Sequence, residues 1–80
     1  MSEELEVAEL DGLSFKRKGK VLTVCFRATY EKDDGTPFIR GYVAYDELGT
    51  LLKDFRPTSR EWQKMTDRAF ELVEKKEACA

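Results

Sequence analysis

The chain has 80 residues and no histidine. That absence removes the side chain most often used near neutral pH as general base, proton shuttle or metal ligand. Cysteine is almost as scarce: only Cys25 and Cys79 occur. One pair is too few for the disulfide framework of a small secreted scaffold, and a tetrahedral zinc site wants about four ligands at short paired spacings. The five glycines are scattered, and none opens a helix in a phosphate-cradling pattern. No apolar run approaches the ~20 residues that span a bilayer, and the first residues lack the basic-then-apolar order of a signal peptide. Ser14 and Ser59 have no base beside them to activate a hydroxyl. The carboxylate pairs Asp33-Asp34 and Asp46-Glu47 sit where turn and helix-cap chemistry already favours acids. These absences predict a cytoplasmic, non-enzymatic protein with reduced thiols, without metal, other cofactor or membrane attachment.

What is present is charge and a β-rich centre. Charged residues make up 38% of the chain and apolar ones 41%, a balance that favours one small folded domain over disorder. The net charge of −2 hides an asymmetry. Residues 1–12 hold Glu3, Glu4, Glu6, Glu9 and Asp11 with no base, whereas residues 13–30 hold Lys16, Arg17, Lys18, Lys20 and Arg27 with no acid. An acidic leader over residues 1–12 therefore precedes a single α+β domain over residues 13–80. The leader is read as solvated charge or as a flap that folds over the basic hairpin and masks it. Leu5, Val7 and Leu10 fit either a short edge strand, which would be a fourth strand, or one turn of helix.

Three runs read as strands from their alternation and their β-branched and aromatic content: Leu13 to Arg17, Lys20 to Tyr30, and Phe38 to Tyr45. Lys18-Gly19 and Asp34-Gly35 supply the turns. If each is a two-residue turn, Phe15 faces Leu22 and Leu13 faces Val24 across the first. Tyr30 then faces Ile39 and Phe26 faces Val43 across the second. Opposed residues share a sheet face. Leu13, Phe15, Leu22, Val24, Phe26, Ala28, Tyr30, Ile39, Val43 and Tyr45 then form one apolar face. Lys18 tolerates positive φ poorly, so a bulged three-residue turn at the tip is the competing reading. After Tyr45 the period becomes helical. Asp46 reads as the cap of a short helix carrying Leu48, Leu51, Leu52 and Phe55, which ends before Arg56-Pro57. Thr58 and Glu61 have capping-box spacing for a longer helix whose stripe is Trp62, Met65, Ala69, Phe70, Leu72 and Val73. The expected architecture is an antiparallel three-stranded meander, order 1-2-3, packed against one short and one longer C-terminal helix.

The same register places Lys16, Cys25, Arg27, Thr29, Phe38, Arg40 and Tyr42 on the opposite face, with Arg27 across from Tyr42. Arginine with aromatics is the composition of protein-binding hot spots, and also of surfaces that stack bases while cations meet phosphate. Arg27, Arg40, Tyr42 and Phe38, with Lys16, Arg17, Lys18 and Lys20 at the hairpin tip, are the candidate binding residues. The sequence pI near 5.2 favours a protein partner over nucleic acid, and the basic tip favours the reverse. The leading expectation is a small regulator or inhibitor that acts by protein–protein contact. Inhibitors encoded by phages and mobile elements, anti-CRISPR proteins among them, share this general profile. Nucleic-acid binding through residues 16–20 and the same face is the alternative, and self-association through a sheet edge is a third.

Overall fold

The computed structural model describes residues 3–78. Three strands, β1 (Glu4–Arg17), β2 (Lys20–Glu31) and β3 (Pro37–Tyr45), precede one helix, α1 (Ser59–Ala78). The strands form one antiparallel sheet in the order β1-β2-β3, and α1 covers one of its faces, an α+β arrangement. Cys79, half of the cysteine pair, lies outside the described residues.

The first hairpin has the expected register. Lys18 and Gly19 take φ of 50° and 79°, so both central positions are left-handed and the turn is the tight two-residue kind. Arg17 faces Lys20, Phe15 faces Leu22 and Leu13 faces Val24. Residues 4–12 continue the same strand. Beyond Leu13 the pairing slips, so that Leu10, Asp11 and Gly12 stand against Cys25 alone, and it resumes at Glu9 opposite Phe26. The acidic leader is thus the first half of β1, joined to the rest by a wide bulge; the described residues contain no fourth strand. Gly12 makes the bulge possible. Its φ is 85°, and a Cβ there would lie 2.4 Å from Thr23 Cγ2.

The second hairpin departs from expectation. Only Gly35 has positive φ, and the amides of Asp34 and Gly35 both donate to the Glu31 carbonyl, at 3.1 and 2.7 Å. Asp34 keeps an ordinary backbone, so the turn widens and β3 begins at Pro37 opposite Tyr30. Ile39 therefore faces Ala28 rather than Tyr30, a shift of two that preserves its face. Arg40 is then an extra residue: Ala28 pairs with Ile39 but Arg27 pairs with Gly41. One inserted residue inverts every side chain after it. Tyr42 and Ala44 consequently turn toward the helix, opposite Phe26 and Val24, and Val43 and Tyr45 turn away from it. The expected placements of Tyr42, Val43 and Tyr45 are all corrected by that bulge.

The short helix is absent; α1 is the single helix among the described residues. Asp46 does cap, but it caps a turn. Its Oδ1 accepts from the Leu48 and Thr50 amides, both at 2.9 Å, and Gly49 at φ 81° sends the chain back. The returning segment pairs Leu51 with Tyr45, and the Leu52 amide donates to the Ala44 carbonyl at 2.8 Å. Leu52 and Phe55 still pack on the core, whereas Leu48 points into solvent.

Helix α1 starts on the expected capping box. The Glu61 amide donates to Thr58 Oγ1 at 3.1 Å, and the Thr58 amide to Glu61 Oε1 at 2.9 Å. Met65, Ala69 and Val73 form its buried line against Val7, Phe15, Val24, Phe26, Ala28, Tyr30 and Ala44. Trp62 and Phe70 stay partly exposed. Two ion pairs tie helix to sheet: Arg17 to Glu61 and Arg68 to the buried Glu9.

Candidate functional site: an apolar groove on the open sheet face

With α1 on one side only, the other face of the sheet is left open, and both bulges shape it. Ala8 and Leu10 of β1, Cys25 and Arg27 of β2, and Gly41 and Val43 of β3 line a shallow groove of about 440 Å³. Its walls are mostly apolar. Leu10, pushed out by the first bulge, is 84% exposed, and Val43, turned over by the second, is 43% exposed. Gly41 keeps the floor open. It is not among the positive-φ residues, and a Cβ built on it meets nothing within 4 Å. Neither backbone strain nor packing within the chain requires glycine there, and any larger side chain would occupy the groove. Cys25 contributes its sulfur to the floor, where Sγ lies 3.9 Å from the Leu10 carbonyl.

Two arginines flank the groove, and each is already engaged. Arg27 Nε meets Glu6 Oε1 at 2.8 Å. Arg40 donates from Nε to Thr29 Oγ1 at 2.8 Å, lies over the Phe38 ring at 5.8 Å, and has Nη2 3.7 Å from Glu4. The acidic first half of β1 does neutralise base, but on Arg27 and Arg40; it runs along the far part of β2 and does not fold over the hairpin tip. Such exposed pairs contribute roughly 0–1 kcal/mol each and exchange readily for an incoming carboxylate.

The other sequence-predicted residues scatter. Lys16 lies on the open face opposite Val21, and Lys18 and Lys20 are exposed at the tip. Arg17 is built into the fold. It forks onto Glu61, with Nε–Oε2 at 2.8 Å, donates to the Arg56 carbonyl at 2.6 Å, and lies over Phe55 at 4.8 Å. The Arg17 guanidinium beside it holds the Glu61 carboxyl below the usual carboxylate range against the opposing effect of burial. The same bond raises the Arg17 pKa further. Tyr42 is edge-on to Phe55 and Trp62, at 5.9 and 6.3 Å, on the helix side. The groove thus unites Arg27 and Arg40, with Phe38 beside Arg40; Tyr42 borders it but turns its ring to the helix side, and Arg17 and the lysines of the tip lie apart from it. Sequence reasoning missed Leu10, Gly41 and Val43, because both bulges had to be known first. The glycine inside an otherwise apolar strand run was the available signal.

Among the described residues no group of acidic or thiol side chains is placed to hold a metal ion, and no helix is long and apolar enough to cross a membrane. The chain matches no family model, and comparison with curated proteins and with solved structures gave no match. The open face offers shape, apolar surface and two exchangeable cations.

Proposed function

We propose that the protein is a non-enzymatic binding module that recognises another protein through the open sheet face, as a small regulator or inhibitor would. The observation that carries this reading is the groove around Gly41, an opening that the chain's own conformation and packing do not require. An apolar floor rimmed by arginine is the composition of an interface centre, where a partner's large side chain is desolvated and a carboxylate completes the rim. Glu4 and Glu6 favour a protein over nucleic acid. They place negative charge where a phosphate backbone would approach Arg27 and Arg40.

The test is quantitative affinity capture from the native host with wild type, Gly41→Leu, Val43→Asp and a helix-surface control, Lys75→Ala. Both groove variants are expected to lose a partner that the control keeps, with unchanged unfolding midpoints. Retention of the same partners by all four proteins removes the role given to the groove.

A further inference from the structure

The two edges of the sheet are defended to different degrees. The β1 edge carries Glu4, Glu6, Glu9 and Asp11, is broken by the wide bulge, and has the Glu6 carbonyl occupied by Lys76 Nζ at 2.7 Å. These are the features that keep an edge from pairing with another chain. The β3 edge has Pro37 at its start and a one-residue bulge at Arg40, which is its one charged residue in Pro37–Tyr45. Its last part is already covered from within, by the Leu51 bridge and the Leu52–Ala44 hydrogen bond. The part at residues 37–43 has no strand beside it among the described residues. Ladder groups alternate inward and outward, and Ala44 is outward, so Tyr42 also turns its amide and carbonyl out; beyond the bulge Ile39 does the same. On the helix side this stretch presents Tyr42, whose ring is edge-on to the 42% exposed Trp62 of α1.

We infer that the partner of this protein presents an extended segment that adds as a strand to the free β3 edge at residues 37–43, continuing the row that Leu51 and Leu52 begin. The inference rests on the protein-binding reading above and specifies its mode. Main-chain pairing to Ile39 and Tyr42 supplies affinity, and alternate side chains of the segment reach the flanking surfaces. Apolar ones on the helix side meet Tyr42 and Trp62. On the open side the segment passes Arg40 and Gly41, where the missing side chain admits close approach of another backbone. The occupant is a different protein rather than a second copy. A two-fold antiparallel pairing that matches outward residues sets Ile39 opposite Tyr42 and Arg40 opposite Gly41, which makes the two Arg40 side chains diagonal neighbours of like charge. A segment with a carboxylate at that point meets Arg40 instead, displacing the weaker contact with Glu4.

The test uses the full chain and a displayed library of short random peptides. Selected peptides are expected to alternate apolar and polar residues and to carry a central Asp or Glu. Their binding is expected to protect the Ile39 and Tyr42 amides from hydrogen exchange. N-methylation of the peptide amides that face β3 should weaken binding about tenfold or more, the loss of one or two main-chain hydrogen bonds. Selection on Arg40→Glu should return basic peptides in place of acidic ones. Peptides that shift Leu10, Cys25 and Arg27 resonances but leave Ile39 and Tyr42 unprotected overturn strand addition while supporting the open-face reading. Selection that returns no binder also overturns strand addition, and the capture experiment then decides the protein-binding reading on its own.

Discussion

Replacing Gly12 with alanine isolates the feature that joins the two halves of β1. Two costs apply. At φ 85° an L-residue is in the left-handed region, which costs about 1–2 kcal/mol. The new methyl carbon would also lie 2.4 Å from Thr23 Cγ2 and 3.4 Å from Cys25 Sγ. Carbon atoms prefer a separation of about 3.5–4.0 Å, so the strand or Thr23 must move, at a further ~1–3 kcal/mol. The expected loss is roughly 2–5 kcal/mol, a large share of the stability of so small a domain. Gly49→Ala is the internal control. Its φ is 81°, nearly the same, but nothing lies within 4 Å of the added carbon, so only the backbone cost of ~1–2 kcal/mol remains. Urea unfolding followed by circular dichroism should give a midpoint reduction at least about 1 M larger for Gly12→Ala than for Gly49→Ala, with a slope near 1 kcal/mol/M. Thr23→Ser removes Cγ2 and should restore part of the loss in the Gly12→Ala background while costing little alone. Equal midpoints for the two alanine variants, or no recovery with Thr23→Ser, would refute the packing at the bulge described above.

Three further outcomes are expected. Glu61→Gln keeps a capping-box acceptor but leaves Arg17 without its charge partner, and should cost about 1–3 kcal/mol at neutral pH, discounted for the part-exposed Arg17. Because Arg17 holds the Glu61 pKa low in the folded chain, the wild-type contribution is complete above the unfolded carboxylate value near ~4.3 and is lost as pH falls through the lower folded value. Urea titrations across acid pH should show that segment of the slope in wild type and not in Glu61→Gln; parallel curves would dissociate the pair from acid stability. The Tyr30 hydroxyl is buried and makes no close hydrogen bond, while its pKa is raised by burial first and then by the Glu77 carboxylate, which lies near enough to act as an acceptor. Tyr30→Phe should therefore be neutral or stabilise by up to ~1 kcal/mol, and a thermal melt showing clear destabilisation would reveal a bond the fold makes in solution. Glu4→Gln with Glu6→Gln should free Arg27 and Arg40 and delay elution from a heparin column, whereas unchanged elution would mean that these acids do not neutralise the arginines.

The periodicity of β2, the Lys18-Gly19 turn and the Thr58–Glu61 cap were legible because each is decided within a few residues. Alternation assigns a strand's faces, two positive φ values close a tight turn, and a side chain reaches the backbone donor three residues away. The order β1-β2-β3 and the coverage of one face by α1 follow from those local decisions. The Asp46 cap was equally legible, but its element was not. The same side-chain geometry serves a helix or a turn, and Gly49 with the open edge at Ala44 selected the turn.

The faces of β3 were beyond local reasoning. Asp34-Gly35 could form a two-residue turn, but that pairing would set Ile39 against Tyr30. The packed sheet sets the buried Pro37 there instead, a shift of two that keeps the faces, and Arg40 as an extra residue cuts the shift to one. A single insertion is invisible in composition and inverts everything after it, which moved Tyr42 to the helix side and brought Val43 to the open face. The bulge at Leu10–Gly12 likewise turned an apparent acidic leader into half a strand. By itself, then, the amino-acid sequence determined the class of fold, the helix start and the presence of a face rich in arginine. Only tertiary packing decided which residues share that face with Arg27 and Arg40, because register is a property of paired strands and neither strand carries it alone.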